Sequence, residues 1–438
     1  CKNCDVSLTY HKGLNQLTCH YCGYTQPVPR RCPACEGVDL RNRGFGAFVA
    51  SKFLAIFSAE ILIVAVTWQL WDLTREPFML GLVGLVEFLP ALLLLPLTGV
   101  ASDRFRRRSI MQLCLVVEAA SVGGLLLYTL SGVGAIWPIY LLLAVLAVAR
   151  AFFAPAQQSL APNLLPTAHL ATGVATSSSA WQLGSISGPA VGGLLLGWSI
   201  EVAQAAAAGL MLLAALLILL VPKGARRDRG EPVTWTTVLA GVVFLRRAKV
   251  VLGAISLDLF AVLLGGAFAL LPIYAGEIIE IGPEGLGLLR AASGAGALVT
   301  AILLAWFPIR DRAGHIMFAA VALFGVFTIV FGLSSIAWLS IGALFLMGAF
   351  DMVSVYVRST LIQLNTPDAL RGRVNAVNMV FVGASNELGA FRAGTMAALY
   401  GAIPAVVAGG VGCLAVAGLW ALWFPQLRRA RRLDAPLT

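Results

Sequence analysis

Charged residues are scarce in this 438-residue chain, because Asp, Glu, Lys and Arg make up only 12% of it, against about 25% in soluble domains. Hydrophobic residues account for 59%, and the mean hydropathy is +0.86. A chain with so little polar surface cannot fold as a soluble globular protein. We therefore expect an all-α protein that crosses a membrane several times, since helices satisfy every backbone polar group within lipid.

Motifs for nucleotide hydrolysis and for catalysis are missing as well. No Gly-Lys-Ser or Gly-Lys-Thr phosphate-binding loop occurs, which excludes ATP hydrolysis by that route. No Ser/His/Asp or Cys/His arrangement can be defended as catalytic, so we expect no enzyme. Beyond residue 35 only Cys114 and Cys413 remain, and both are interpreted as packing residues. The net charge of +10 is carried largely beside apolar runs, which indicates contact with anionic lipid.

The first forty residues differ, because they hold six of the eight cysteines. These form three pairs with two residues between partners: Cys1/Cys4, Cys19/Cys22 and Cys32/Cys35. Two such pairs separated by about 15 residues suit one zinc ion held by four thiolates. The expected ligands are Cys1, Cys4, Cys19 and Cys22, and Cys32 and Cys35 are less certain. Disulfides are not expected in a segment that should face the reducing cytoplasm.

Three stretches of this segment are specific: CKNCDVSLTYH at 1–11, LTCHYCG at 17–23 and PRRCPAC at 29–35. Over about residues 1–46 they resemble the zinc-binding insert of the primosomal replication-restart helicase. That family has a further cysteine pair that would partner Cys32 and Cys35, and it is missing here. The helicase motor is missing too, so nucleic-acid binding is not expected. A gene fusion and a sequence-assembly artefact are both open, and Cys1 in place of Met leaves open an incomplete N-terminus.

Twelve apolar runs follow, each of roughly the 20 residues that a helix needs to cross a bilayer. They lie at about 45–73, 80–101, 109–131, 136–155, 171–197, 202–221, 250–272, 285–307, 315–333, 337–359, 373–398 and 404–424. Arginine and lysine concentrate in alternate loops, which predicts that both termini are cytoplasmic. The expected organisation is a zinc segment (1–43), a six-helix half (44–221), a cytoplasmic linker (222–249), a second six-helix half (250–427) and a basic cytoplasmic tail (428–438).

A short basic loop, GVASDRFRRR at 99–108, joins the second and third runs. Its pattern resembles the signature loop of the major facilitator superfamily, and the matching residues are Gly99, Asp103, Arg104, Arg107 and Arg108. The resemblance implies two six-helix halves around a central cavity. It also implies that the loop ties helix two to helix eleven in the outward-facing state. The alternative is a basic loop that only sets topology.

Helices four and five carry further patterns. The stretch GSISGPAVGG at 184–193 resembles the glycine-proline motif of exporters in this superfamily. Its residues are Gly184, Gly188, Pro189, Gly192 and Gly193. The alternative is a generic packing face, because small residues let membrane helices approach closely.

Arg150 matches the helix-four arginine linked to proton coupling in drug exporters. The alternative for this residue is a side chain that reaches toward the cytoplasmic end of its helix.

The stretch from 351 to 389 indicates a branch within the superfamily. It contains DMVSVYVRSTLIQLNTPDALRGRV at 351–374 and GASNELG at 383–389. Together with the rest of 44–427 it resembles the exporter branch that includes the enterobactin siderophore exporter. The resemblance implies secondary active export without ATP or a cofactor, and it does not identify the cargo.

Ten charged side chains fall within the predicted spans, too many for packing alone in lipid. They are Glu60, Glu87, Glu118, Arg150, Asp258, Arg290, Asp351, Arg358, Glu387 and Arg392. The candidates for binding protons or substrate are Glu60, Glu87, Glu118, Asp258, Asp351, Arg358, Asn386 and Glu387. The first three are favoured for protonation, because burial disfavours the charged form of a carboxyl group.

These features predict a monomeric secondary transporter in the cytoplasmic membrane. We expect it to export a siderophore- or drug-like organic molecule by proton antiport, with zinc confined to the N-terminal segment. One alternative is a membrane-tethered zinc module with a nucleic-acid role. Another is an importer or lipid flippase on the same fold.

Overall fold

The computed structural model describes residues 9–11, 16–18, 25–27, 43–94, 97–98, 101, 105–160, 164–165, 170–222, 245 and 248–430. Within these ranges twelve long helices follow one another, as predicted. They are α1 (Arg43–Thr74), α2 (Pro77–Leu93), α3 (Arg107–Leu130), α4 (Trp137–Leu160), α5 (Leu170–Trp198), α6 (Ile200–Leu217), α7 (Lys249–Gly265), α8 (Gly282–Trp306), α9 (Ala313–Leu333), α10 (Ala337–Asn365), α11 (Asp368–Tyr400) and α12 (Ala402–Trp423). A short α13 (Pro425–Arg428) follows.

The seventh span extends further than expected. After α7 the chain continues through a 3₁₀ turn (Phe268–Leu270), a short helical turn (Leu271–Ile273) and a π-helical turn (Tyr274–Ile278). The span therefore ends at Ile278 rather than at residue 272. The interruption lies at Gly266 and Ala267, and Pro272 falls in the first turn of the short helix that follows, where a proline is tolerated.

Nine helices in the described ranges are long and apolar enough to cross a membrane. The other three long helices are either shorter or more polar than these nine. α2 has only 17 residues, α5 is rich in Ser, Thr and Gly, and α11 contains five charged residues. Five tryptophans at helix ends are exposed, as expected for side chains at a membrane interface: Trp137, Trp198, Trp306, Trp338 and Trp423.

Each half packs around its own helices. In the N-terminal half α1 contacts α5 and α6, while α4 contacts α2 and α3. In the C-terminal half α10 contacts α8 and α9, while α12 contacts α7 and α9. Two helix pairs form the main contacts between the halves, α2 with α11 and α5 with α8.

Glycine pairs bring the two halves together at one end of the bundle, where α1 ends and α2 begins. A Cβ atom on Gly81 would lie 2.9 Å from the Cα of Gly394, and one on Gly193 would lie 2.7 Å from the Cα of Gly287. Only glycine permits such close backbone contact. We call this end of the bundle the closed end.

The N-terminal segment contains three short strands, β1 (Thr9–His11), β2 (Gln16–Thr18) and β3 (Thr25–Pro27). They form an antiparallel sheet in the order β1-β2-β3, with Tyr10 opposite Leu17 and Leu17 opposite Gln26. All six cysteines of the predicted zinc segment lie outside the described residues, as does most of the predicted linker.

Candidate functional site

Arg150 of α4 links two acidic side chains from neighbouring helices. Its Nη1 atom donates a hydrogen bond of 3.3 Å to Oε1 of Glu87 in α2. Its Nε atom lies 4.0 Å from Oε2 of Glu118 in α3, whose side chain is 4% exposed. Arg150 thus points toward carboxylates within the bundle and connects three helices of the N-terminal half.

Three further charges lie within electrostatic range of this group. Glu60 of α1 interacts electrostatically with Arg150, Glu87 and Arg290. Arg290 of α8 and Glu387 of α11 interact with each other and with Glu87, which extends the group across both halves. We call these six residues the central cluster: Glu60, Glu87, Glu118, Arg150, Arg290 and Glu387.

The central cluster has more acidic than basic groups, since four carboxyl groups face two guanidinium groups. Within the central cluster, two polar atoms have no hydrogen-bond partner in the described part of the chain: Nε of Arg290 and Oε1 of Glu118. Buried charged groups in a membrane protein are costly and are typical of functional sites. The arrangement can take up protons or a cationic group, either of which would reduce the excess negative charge.

The glycines of α5 determine how Glu60 is packed. A Cβ atom on Gly188 would lie 2.5 Å from the Cβ of Glu60, so α1 and α5 meet at this residue. Gly184 and Gly192 contact α1 on either side of it, near Ile56 and Ile61. The motif of helix five therefore forms a packing surface against α1, and Pro189 lies within the same helix.

Gly84 of α2 positions a second member of the cluster. A Cβ atom at this position would lie 2.5 Å from the backbone oxygen of Glu387 in α11. The close approach holds Glu387 beside α2, which also carries Glu87. The contact between the halves and the central cluster are thus built on the same pair of helices.

The remaining predicted site residues lie elsewhere. Asp258 of α7 and Arg358 of α10 form a buried ion pair, and Asp351 lies close to both. Asn386 is exposed, and its Nδ2 atom donates to the carbonyl oxygen of Val382 at 3.0 Å, within its own helix.

Of the signature loop, Gly99, Asp103 and Arg104 fall outside the described residues, whereas Arg107 and Arg108 begin α3. Arg108 Nη2 donates a 2.7 Å hydrogen bond to the carbonyl oxygen of Leu219, which anchors the start of α3 to the end of α6. No group of three or more His, Cys, Asp or Glu residues suited to a metal ion occurs in the ranges that the structure describes.

Comparison with known families identifies this arrangement of helices. The Major Facilitator Superfamily model matches residues 48–390, which is most of the chain. The chain belongs to the major facilitator superfamily. The model of the PriA DNA helicase Cys-rich region domain matches residues 1–27, in agreement with the resemblance of the N-terminal segment. Both family resemblances predicted from the sequence are therefore confirmed.

Curated relatives cover nearly the whole chain. The uncharacterized MFS-type transporter YfiS of Bacillus subtilis is 28% identical over 411 residues, which span 90% of this chain and 96% of YfiS. The enterobactin exporter EntS of Escherichia coli is 27% identical over 403 residues, spanning 90% of this chain and 95% of EntS. Members of this superfamily are generally transport proteins rather than enzymes, and the chain is a multi-pass membrane protein.

Solved structures share the fold. A bacterial homologue of the human lysosomal transporter Spinster, in an inward-facing and unoccupied conformation, aligns with a TM-score of 0.72 at 14% identity and covers 90% of this chain and 99% of its own. The nucleoside transporter NupG aligns with a TM-score of 0.67 at 14% identity, covering 88% of this chain and 99% of its own. At these identities the likeness concerns the fold alone.

Arg290 is one of the ten charged residues within the predicted spans, but it is not among the candidate site residues that the sequence predicts. The charge itself was the available signal, because an arginine inside a membrane helix usually faces a polar interior. Its partners Glu60, Glu87 and Glu387 belong to three other helices. The spacing of charges along the chain does not reveal such contacts between distant helices.

Proposed function

We propose that the chain is a monomeric secondary transporter that exports a small organic molecule across the cytoplasmic membrane in exchange for protons. The observation that carries the proposal is the central cluster, in which Arg150 contacts Glu87 and Glu118 while Glu387 and Arg290 approach from the other half. A siderophore- or drug-like cargo is supported by the relatives named enterobactin exporter. Both termini are proposed to face the cytoplasm.

Protons and cargo would act on the same set of charges. A proton on Glu87 or Glu118 removes the negative charge that Arg150 contacts, and this weakens the attraction between α4 and its neighbours. Glu387 and Arg290 connect that change to the second half of the molecule. Proton binding on one side of the membrane would therefore favour one arrangement of the halves over the other.

The glycine contacts between α2 and α11 and between α5 and α8 are proposed to seal the exterior side of the cavity. If the termini are cytoplasmic, the closed end of the bundle faces outward. The described conformation would then receive cargo from the cytoplasm, as an exporter requires. Gly99, Asp103 and Arg104 of the signature loop are proposed to stabilise the opposite state.

The N-terminal segment is proposed to bind one zinc ion through Cys1, Cys4, Cys19 and Cys22. The strands support this fit, because β1 follows the first cysteine pair, β2 leads directly into the second, and β3 follows that pair. An antiparallel sheet of this order would bring the two pairs toward one another. Zinc held by four thiolates would stabilise the fold of the segment.

Transport into everted membrane vesicles tests the exporter proposal. Candidate cargo should accumulate inside energised vesicles, and a protonophore should abolish the accumulation. The control is Arg429→Ala, which removes an exposed arginine after α13 and should leave accumulation unchanged. Accumulation that persists unchanged in the presence of the protonophore would refute proton exchange.

A further inference from the structure

A second group of buried charges lies between α7 and α10, within the C-terminal half. Asp258 and Arg358 form an ion pair in which both side chains are only 6% exposed. Asp351 precedes Arg358 by seven residues in α10, so the two side chains share a helix face two turns apart. One arginine faces two carboxyl groups here, and one negative charge remains uncompensated.

This uncompensated charge borders a small cavity, of about 10 Å³, between α7, α9 and α10. The polar side chains that line the cavity are those of Asp258, Asp351 and Ser354. The rest of the wall is aliphatic or aromatic, and α9 contributes Val321 and Phe324. A carboxylate in such surroundings lacks the solvation that water would give it.

Ser354 provides an independent indication that the cavity binds a ligand. Its side chain is 3% exposed and borders the cavity, and its Oγ atom has no hydrogen-bond partner in the described part of the chain. Thr360, in the same helix, instead donates to the carbonyl oxygen of Tyr356 at 2.8 Å. A buried hydroxyl without a partner is uncommon and requires an explanation. A ligand that contacts both Ser354 and Asp351 would provide one.

Two other titratable side chains contact this side of α7. Arg392 of α11 donates hydrogen bonds to the carbonyl oxygens of Leu263 and Leu264, and Cys413 of α12 donates one to that of Ala261. Both side chains are therefore already paired with backbone. The charge balance of the cavity depends on Asp258, Asp351 and Arg358.

We propose that this cavity binds one monovalent cation, held by Asp351, Asp258 and Ser354. Carboxylate and hydroxyl oxygens are the ligands that hard cations prefer, and a single positive charge balances the site, whereas a divalent ion would overcompensate it. The cation is Na⁺, and a proton on Asp351 with Ser354 as its hydrogen-bond partner is the alternative that the experiment distinguishes. The proposal depends neither on the cargo nor on the direction of transport.

Binding of radioactive sodium to the purified full-length protein at alkaline pH tests the proposal. We expect saturable binding of about one ion per chain. Asp351→Asn should weaken that binding at least about tenfold, and Ser354→Ala should weaken it severalfold. The matched control is Asp311→Asn, which alters an exposed aspartate between α8 and α9 and should bind sodium as the wild type does. Thermal melting verifies that each variant is folded. If Asp351→Asn does not fold, Ser354→Ala still tests the site.

Two outcomes would overturn the proposal. One is sodium binding that Asp351→Asn and Ser354→Ala leave unchanged, which would place the ion elsewhere. The other is the absence of saturable sodium binding, which would leave a proton on Asp351 as the compensating charge.

Discussion

At the scale of single residues, Arg150 has the most specific contacts in the central cluster. A guanidinium group can contact two carboxylates at once. Here Nη1 of Arg150 lies 3.3 Å from Oε1 of Glu87, and Nε lies 4.0 Å from Oε2 of Glu118. Lysine offers a single point of charge and cannot reproduce that geometry. The identity of this residue should therefore matter beyond its charge.

The first prediction concerns substitution of Arg150. Both Arg150→Ala and Arg150→Lys should lower proton-driven efflux at least about tenfold while membrane insertion stays normal. Cargo binding should persist, because the substitutions remove the link to protonation rather than the cavity. Efflux assays and equilibrium binding on the same variants separate these effects, with Arg429→Ala as the control. Normal efflux by Arg150→Lys would show that a positive charge alone suffices.

The second prediction concerns the pH dependence of efflux. Glutamine has the shape of a protonated glutamate and cannot release a proton. Glu118→Gln should therefore make efflux less sensitive to pH than in the wild type. Glu76→Gln, which changes an exposed carboxylate before α2, should retain the wild-type profile. Identical pH profiles for Glu118→Gln and the wild type would exclude Glu118 as a proton-binding group.

At the scale of helices, the number of spans could be predicted from the sequence, because the thickness of the bilayer sets the length of each apolar run. α5 and α11 were recognised as spans even though both are more polar than the others. The contacts between them could not be predicted. Asp258 and Arg358 are 100 residues apart, and Arg150 and Glu87 are 63 apart. Periodicity indicates which residues share a helix face, as for Asp351 and Arg358, and gives no information on the helix opposite.

The third prediction concerns the helix contact at the closed end. Gly193→Val should separate α5 from α8, because even a Cβ atom would lie 2.7 Å from the Cα of Gly287. Overpacking of this kind costs about 1–3 kcal/mol and should reduce efflux. Gly209→Val in α6 is the matched control, since nothing lies within 4 Å of a Cβ atom there. Labelling of a cysteine introduced near the closed end should increase only in Gly193→Val. Equal labelling of both variants would contradict the proposed seal.

At the scale of the whole molecule, the chain combines a transporter with an N-terminal segment of a different family. The transporter matches its family over residues 48–390, and the N-terminal segment matches the Cys-rich region of a helicase over residues 1–27. The cysteine pairs and the residues around them were sufficient to predict this second match, whereas the zinc ion that their spacing suits stays a prediction. The cargo could not be predicted, since a small molecule is recognised by contacts from several helices rather than by a local motif.

The fourth prediction concerns zinc in the full-length protein. Metal analysis of the purified chain should find about one zinc ion per molecule, and Cys19→Ser should lose it. Cys413→Ser is the matched control, because that cysteine is buried within α12 and should not affect zinc content. A chain without zinc, or one with two zinc ions, would contradict the assignment. Efflux by a variant lacking residues 1–42 should equal that of the full-length chain if the transporter works independently of the N-terminal segment.

Proton movement during transport distinguishes antiport from other mechanisms. The protein is reconstituted into liposomes containing a pH-sensitive dye, and a cargo that accumulates in everted vesicles is added. We predict proton flow opposite to cargo flow in the wild type, and loss of both flows in Arg150→Ala. Cargo transport without proton counterflow, together with a wild-type rate in Arg150→Ala, would contradict proton antiport.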